Sequence, residues 1–168
     1  MNVLLDTNVV LDLLLAREPF VHEATSIFAL GEDGRFKLLL STDAISTIAY
    51  VIERNCDAAT ARTAIQNLVG RVHLASLDEA TVLRALALGF DDTEDALVAA
   101  VAERERADVI VTRNRKEFDK SPVVTMTPRE FLSYWCSLKE DAVQENDASA
   151  ELGGGLAGED ENETLAEG

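Results

Sequence analysis

The chain has 168 residues, of which 47% are hydrophobic and 27% are charged, a composition typical of a folded globular domain. The formal net charge is −16, and it is unevenly spread, because residues 140–168 hold ten acidic residues and no Lys or Arg. The remaining 21 acids and 15 bases give residues 1–139 a net charge of −6, which argues against a broad basic nucleic-acid-binding face. A bound divalent cation reverses the charge that a phosphate meets locally, so nucleic acid is not excluded as a ligand.

Apolar runs alternate with helical patterns along the chain. The predicted strands cover residues 2–5, 36–41, 72–76, 108–112 and 122–126. The predicted helices cover residues 8–16, 20–34, 42–55, 57–70, 78–89, 93–106 and 127–138. Short apolar strands separated by helices are typical of a parallel sheet covered on both faces, so we expect a three-layer α/β/α domain with a central parallel sheet over residues 1–139. The acidic segment 140–168 lacks the apolar surface needed to fold and is predicted to be a disordered tail.

Two features bear on the cellular compartment. Asp6, Asn8 and Asp12 interrupt the first apolar run, which has no basic stretch before it, so we expect neither a signal peptide nor a membrane span. Cys56 and Cys136 have no further Cys or His at metal-ligand spacing. We therefore expect a reduced, cytoplasmic protein without a zinc site or a disulfide framework.

Polar residues follow several of the predicted strands, where ligands bind in open α/β sheets. They are Asp6-Thr7-Asn8 after the first strand, Ser41-Thr42-Asp43 after the second, and Thr112-Arg113-Asn114 with Glu117 after the strand 108–112. Asp92 and Asp95 are three residues apart and share one face of the helix 93–106, where small alanines at 99 and 100 allow close approach to the sheet.

Carboxylates gathered in one place raise each other's pKa unless a cation lies among them. Mg²⁺ or Mn²⁺ suits such a site, since it takes one or two carboxylates, several waters and substrate phosphate. Each residue also has a simpler interpretation. Asp6 and Asp92 are suitable helix caps, and Asn114 is a suitable turn residue. Asp95 fits such roles least well because it faces the buried stripe, and together the positions favour a metal site.

Three stretches, "LLDTNVVLDLLLAREPF", "FDDTEDALVAAVAERERADVIVTRNRKEF" and "TPREFL", resemble PIN-domain nucleases, particularly the toxin-like group related to the VapC ribonucleases. The resemblance covers residues 2 to about 133. It implies a parallel sheet flanked by helices, and hydrolysis of RNA phosphodiester bonds with Mg²⁺ or Mn²⁺. It also implies a small antitoxin partner and a homodimer, so the chain is expected to be the toxin of a toxin–antitoxin pair.

The resemblance also implies functional roles for particular residues of this chain. Asp6 matches the first acid of the family and Asp95 the acid of its "DAL" motif, while Asn114 falls where many members have their last Asp. The predicted catalytic residues are Asp6, Asp92, Asp95, Asn114 and Glu117, and the predicted metal ligands are Asp6, Asp92 and Asp95. The predicted substrate contacts are Asn8, Thr112, Arg113, Arg115 and Lys116.

Several alternatives remain open. Arg113, Arg115, Lys116 and Lys120 form a basic island that is either an RNA contact or a solvated loop. Many family members carry a Glu where this chain has Thr47, with Asp43 one turn earlier as a partial substitute. Thr47 and Asn114 therefore favour, as an alternative, a catalytically weak or inactive PIN-like module that binds RNA or a protein. A phosphatase of the haloacid dehalogenase type is disfavoured, because it needs Asp where position 8 is Asn.

Overall fold

Five parallel strands form one sheet in the order β3-β2-β1-β4-β5. The strands are β1 (Asn2–Leu5), β2 (Lys37–Ser41), β3 (His73–Ala75), β4 (Val109–Val111) and β5 (Thr125–Met126). In this computed structural model residues 1–139 are described, and the predicted tail 140–168 lies outside them. Met1–Ser133 form one compact unit, and residues 134–139, which are helical, lie outside it.

β1 lies at the centre of the sheet, with β2 and β3 on one side and β4 and β5 on the other. Val3 of β1 pairs with Leu38 of β2 on one side and with Val109 of β4 on the other. The chain builds β2 and β3 outward on one side of β1 and then returns to build β4 and β5 on the other. The carboxyl ends of β1 and β4 therefore flank the crevice in which open α/β sheets bind their ligands.

The helices cover both faces of the sheet. They are α1 (Thr7–Leu14), α2 (Val21–Glu32), α3 (Ala44–Asn55), α4 (Ala58–Val69), α5 (Glu79–Leu88) and α6 (Thr93–Arg104), followed by a 3-10 turn (Arg115–Phe118) and a helix that begins at Pro128. Parallel crossovers are right-handed, so the reversal of strand order after β3 puts α5 and α6 on the face opposite α1–α4. The predicted three-layer α/β/α architecture is confirmed.

The core explains how closely α6 approaches the sheet. Leu4, Leu39 and Ile110 lie side by side on the three central strands and pack against one face of α6. That face is built of small apolar residues, among which Ala99 is fully buried. The short alanine side chain lets the backbone of α6 lie near the sheet, which brings the first turn of α6 close to the carboxyl edge of the central strands.

Each predicted strand and helix is found within three residues of its predicted limits, and two differences are informative. β5 is shorter than the predicted strand 122–126, because Ser121 Oγ accepts a hydrogen bond from the Val123 amide (3.1 Å) and donates one to the Val123 carbonyl (2.9 Å). Pro122 has no amide to add to a ladder. The 3-10 turn was not predicted, since four residues are too few to show a periodicity. Within the described residues, no helix is long and apolar enough to cross a membrane.

Candidate active site

Asp6 is the residue at which β1 ends and α1 begins. Its amide donates a hydrogen bond to the Val111 carbonyl (3.0 Å), which ties it to the end of β4. Its side chain is only 6% exposed. Asp6 occupies the N-cap position of α1, but its carboxylate makes no capping hydrogen bond. The helix-cap interpretation of this residue therefore does not account for where its carboxylate points.

The carboxylate of Asp6 is held by side chains instead. Asp6 Oδ2 accepts hydrogen bonds from Asn8 Nδ2 (2.6 Å) and from the buried Thr112 hydroxyl (2.6 Å). The same hydroxyl accepts a hydrogen bond from the Asn114 amide (3.0 Å), and Asn8 Oδ1 accepts one from the Arg113 amide (3.3 Å). Asn8 and Thr112, predicted as substrate contacts, thus position Asp6 in this structure.

Burial dominates the electrostatics of Asp6. It raises the pKa of this carboxyl group above its usual value, and the nearby charge of Glu94 raises it further. The hydrogen bonds from Thr112, the Thr7 amide and Asn8 act in the opposite direction by favouring the ionised form. A site that must hold a charged carboxylate here needs either these donors or a cation.

Asp95 lies in the first turn of α6, half-buried. Burial raises its pKa to about 7, and the charges of Asp6, Asp92, Glu117 and Glu94 contribute in that order. Asp6 and Asp95 are therefore within electrostatic reach of each other, although they come from β1 and α6. These five residues are called the acidic cluster below.

Asp92 has two roles in the geometry. It is the N-cap of α6, where its Oδ1 accepts a hydrogen bond from the Glu94 amide (2.7 Å), so the cap interpretation is correct for this residue. Its charge also acts on Asp95. Asp92, Asp95 and Glu117 line one cleft of about 380 Å³, together with Lys116 and Lys120. The sequence expectation that acids from α6 and from the segment after β4 meet in space agrees with this cleft.

The donor set can be tested against a hard cation. Within residues 1–139, no group of three or more His, Cys, Asp or Glu side chains is arranged to hold a metal ion. Asp6 and Asp95, each with a raised pKa, form a pair of mutually repelling carboxylates at the topological switch point. Mg²⁺ and Mn²⁺ are often bound through one or two carboxylates, with water and substrate phosphate completing the shell, so the residues present fit such an ion.

The basic island is largely paired with acids of the same chain. Its contacts are Arg113 Nε to Asp12 Oδ2 (3.3 Å), Arg115 Nη1 to Glu130 Oε1 (2.7 Å), and Lys120 Nζ to the Gly89 carbonyl (2.6 Å) and Asp91 Oδ1 (3.4 Å). Lys116 is exposed and lines the cleft of the acidic cluster. Among the described residues it alone of the four has no acidic partner. The RNA contacts assigned to Arg113, Arg115 and Lys116 stay predictions.

The two positions that depart from the family pattern lie differently. Asn114 is exposed, precedes the 3-10 turn and lines a neighbouring cavity of about 900 Å³ with Arg115 and Lys116. Asp43 accepts a hydrogen bond from the Ser41 hydroxyl at the end of β2. It is not among the carboxylates that raise the pKa of Asp6 or Asp95. Nothing in these contacts supports Asp43 as a substitute for the missing acid at Thr47.

Two residues of the site region were not singled out from the sequence. Glu94 raises the pKa of both Asp6 and Asp95, from a position at a helix N-terminus where negative charge is favoured. Asp12 is 1% exposed on α1, beside Arg113. An acid four residues after Asn8 within a leucine-rich helix was the available signal, because it places a carboxylate on a helix face that is otherwise buried.

Comparisons with known proteins agree with this architecture. The family model described as a PIN domain matches residues 2–116. Ribonuclease VapC1 of Aquifex aeolicus is 28% identical over 142 residues, which covers 82% of this chain and 97% of that protein.

Two solved structures illustrate the likeness in fold. VapBC of Salmonella typhimurium, bound to DNA, aligns with a TM-score of 0.61 at 17% identity over 76% of this chain and 98% of that one. VapBC-1 of nontypeable Haemophilus influenzae aligns with a TM-score of 0.60 at 20% identity over 77% of this chain and 99% of that one.

Proposed function

The chain belongs to the PIN-domain family, and we propose that it is a ribonuclease that hydrolyses RNA phosphodiester bonds with the help of Mg²⁺ or Mn²⁺. The observation that carries this proposal is the pairing of Asp6 and Asp95 at the switch point between β1 and β4, where each has a raised pKa. A carboxylate pair that repels itself in the free protein has a natural partner in a divalent cation. The similarity to a ribonuclease of the same family supports RNA as the substrate.

In the proposed reaction Asp6 and Asp95 would hold the ion, and Asp92 and Glu117 line the cleft to which Asp95 also contributes. When bound, such an ion polarises the scissile phosphate, lowers the pKa of attacking water and stabilises the leaving oxygen. Asn8 and Thr112 favour the ionised form of Asp6 and orient its carboxylate through their hydrogen bonds to Oδ2. No nucleophilic side chain is required, since water is the attacking group.

The cleft walls suggest where the RNA backbone lies. Lys116 is exposed and without an acidic partner among the described residues, and it lines both the cleft of the acidic cluster and the larger cavity beside it. A lysine in that position attracts a phosphate next to the scissile one and makes binding dependent on salt. Asn114 lines the larger cavity and offers an amide for RNA contact.

We further propose that the protein acts as the toxin of a toxin–antitoxin pair. Solved structures with the same fold include VapBC complexes, and the curated relative is a VapC ribonuclease. The expected partner is a small antitoxin that covers the acidic cluster, and the expected assembly includes a homodimer. Co-purification with the product of a neighbouring gene, and light scattering of the purified protein, test these two expectations.

The central experiment measures cleavage of RNA in Mg²⁺ or Mn²⁺ by the protein and by Asp6→Asn and Asp95→Asn. We expect cleavage by the unaltered chain, its loss in EDTA, and a loss of about 100-fold or more in each variant. Asp57→Asn is the matched control. Asp57 caps α4 far from the acidic cluster in sequence, Asn is also a favourable cap, and activity should be unchanged. Equal cleavage by all four proteins would indicate a contaminating nuclease, and the proposal would fail.

A second candidate function is a non-catalytic PIN-like module that binds RNA or a protein. The amide at Asn114 and the hydroxyl at Thr47 favour it, as does the finding that no group of three or more ligating side chains is arranged for a metal within residues 1–139. Calorimetric titration with Mn²⁺ separates the two candidates. Binding that disappears in Asp6→Asn supports the nuclease, whereas absence of heat and of thermal stabilisation supports the binding module.

A further inference from the structure

Asp12 is a buried acid that the proposed reaction does not use. It lies on α1, its side chain is 1% exposed, and neither carboxylate oxygen makes a hydrogen bond within the described residues. Burying a carboxylate without hydrogen bonds is costly unless an opposite charge compensates. Two arginines supply that charge: Arg113, whose Nε lies 3.3 Å from Asp12 Oδ2, acts more strongly, and Arg17 acts more weakly. Asp12 is too deeply buried to touch RNA, so any role in the reaction must pass through Arg113.

Arg113 is fixed on two sides. Asp12 lies beside its Nε, and the ring of Phe20 lies under its guanidinium, 4.4 Å from ring centroid to Cζ. A cation over an aromatic face is attracted to the ring, and the contact limits the orientation of the planar guanidinium. The side chain that the sequence suggested as an RNA contact is therefore engaged with α1 and with the segment that follows it.

The backbone of Arg113 is attached to the same helix one turn earlier. Its amide donates a hydrogen bond to Asn8 Oδ1 (3.3 Å), and Asn8 and Asp12 are four residues apart on one face of α1. The segment after β4 is thus held to α1 at two points, by its amide to Asn8 and by its side chain to Asp12. Thr112 and Asn114, on either side of Arg113, are linked by the hydrogen bond from the Asn114 amide to the Thr112 hydroxyl.

We propose that the Asp12–Arg113 ion pair is a positioning device that fixes the segment Thr112–Asn114 on α1, so that the Thr112 hydroxyl and Asn8 stay aligned on Asp6. Both donors to Asp6 Oδ2 belong to this arrangement, Asn8 through the Arg113 amide and Thr112 as the neighbour of Arg113. This inference adds detail to the proposed function, and the part of its test that measures cleavage rates rests on that function. The part that measures hydrogen exchange does not depend on cleavage.

The test removes both charges of the pair together, because removing Arg113 alone would take the stronger of two compensating charges from buried Asp12 and destabilise the fold. Asp12→Leu with Arg113→Met replaces each side chain by an apolar one of similar shape. Hydrogen exchange measured by NMR then follows the Arg113 and Asn114 amides, with the Ile110 amide, bonded to the Val124 carbonyl (2.8 Å), as an internal reference for global unfolding.

We expect the double variant to fold and to exchange the Arg113 and Asn114 amides about tenfold or more faster, with exchange at Ile110 unchanged. We also expect kcat to fall about tenfold or more with KM within about twofold, because misplacement of a catalytic group acts on the chemical step. Arg84→Met is the matched control. Arg84 pairs with Glu103 in an exposed ion pair between α5 and α6, and this variant should behave like the unaltered chain.

Three outcomes would overturn the proposal. Unchanged exchange at both amides would show that the segment stays in place without the ion pair. A higher KM at constant kcat would show that Arg113 grips RNA directly. A double variant with normal kcat would confine the pair to stability. If the unaltered chain cleaves no RNA, the proposed function fails, and the exchange rates alone still decide the positioning role.

Discussion

Thr112 shows how one hydroxyl group supports a buried charge. Its side chain is fully buried, donates to Asp6 Oδ2 and accepts from the Asn114 amide. Because the bond to Asp6 favours the ionised carboxylate, it lowers a pKa that burial raises. Thr112 is thus part of the site even though no atom of it is available to solvent.

Thr112→Val, which keeps the shape and removes the hydroxyl, should lower the free energy of unfolding by about 1–3 kcal/mol at pH 8. Without this donor the folded-state pKa of Asp6 rises further, so ionised Asp6 costs more stability at alkaline pH, and the loss should shrink as the pH falls towards 4. Urea unfolding at both pH values measures the difference.

Thr125→Val on β5, where the hydroxyl donates only to the Val123 carbonyl (3.3 Å), is the control and should change the free energy of unfolding by less than about 0.5 kcal/mol. An equal loss at both pH values would contradict this reasoning.

For Asp95 in the metal-free protein, substitution is expected to raise rather than lower the free energy of unfolding. Its folded-state pKa of about 7 lies above the ordinary value of 3.8, so the fold binds a proton that the unfolded chain releases. This destabilises the fold increasingly as the pH rises from about 4 to about 7, and fully above that. In EDTA, Asp95→Asn should therefore raise the free energy of unfolding at pH 8 by about 1 kcal/mol, after allowance for solvent screening of a half-exposed group, and by little at pH 4.

Asp57→Asn is the control, and its effect on the free energy of unfolding at pH 8 should have the opposite sign. Hydrogen bonds from the Thr60 amide and hydroxyl lower the pKa of Asp57, so its charge stabilises the fold above the unfolded pKa, and that stability is lost as the pH falls through the depressed value. Asp57→Asn should be less stable than the unaltered chain at pH 8. If Asp95→Asn were also destabilised at pH 8, the raised pKa of Asp95 would be wrong.

At the scale of elements, α6 combines helix capping with the acidic cluster. Asp92 caps the helix, Glu94 and Asp95 form its first turn, and its small buried face sets its distance from the sheet. Negative residues are favoured at a helix N-terminus by the macrodipole, which offsets part of their mutual repulsion. The first turn of α6 therefore holds several acids even though their charges still raise the pKa of Asp95.

Substitution of Asp92 separates its cap from its charge. Asp92→Ala should lower the free energy of unfolding by about 1 kcal/mol, since the Glu94 amide loses its acceptor. Asp92→Ser keeps an acceptor, so its stability should stay within about 0.5 kcal/mol of the unaltered chain, while its affinity for Mn²⁺ falls several-fold because a carboxylate is lost from the cleft. Thermal unfolding and calorimetry measure the two effects. Unchanged Mn²⁺ affinity in Asp92→Ser would confine Asp92 to capping.

The elements themselves were well predicted, and the exceptions are informative. The predicted limits of α5 lie within one residue of the observed ones, which local features fix: Asp78 accepts a hydrogen bond from the Thr81 amide (2.8 Å), and Gly89 ends the helix at positive φ. β5 was predicted too long, because Ser121 takes the hydrogen bonds of Val123 that a ladder would use. An apolar run of sequence does not reveal that a neighbouring side chain competes for its backbone hydrogen bonds.

At the scale of the whole molecule, charge is separated along the chain. Residues 140–168 carry ten acids without a base, whereas residues 1–139 have a net charge of −6. RNA is a polyanion, so in the proposed ribonuclease the total charge would oppose its approach, while Lys116 and a bound divalent cation would favour it at the cleft. The balance depends on ionic strength, because screening shortens the range of the repulsion.

Deletion of residues 140–168 should raise the rate of RNA cleavage several-fold at about 0.01 M salt, where the Debye length is about 30 Å, and have little effect at about 0.15 M and above. A full-length variant with the ten acids replaced by amides is the control for chain length and should match the deletion. A gain that persists at high salt would contradict simple repulsion, and would indicate instead that the segment blocks the site by contact.

The amino-acid sequence by itself determined the three-layer architecture and the parallel sheet, and it located Asp6 at the end of a strand and Asp92 and Asp95 at the start of a helix. These depend on hydrophobic periodicity, helix caps and strand ends, which neighbouring residues encode. The tertiary structure decided that Arg113 is engaged by Asp12 and Phe20, and that Asp95 has a pKa near 7. Those properties arise from burial and from Coulomb interactions between groups far apart in the chain, and such interactions depend on distance through space rather than on position in the sequence.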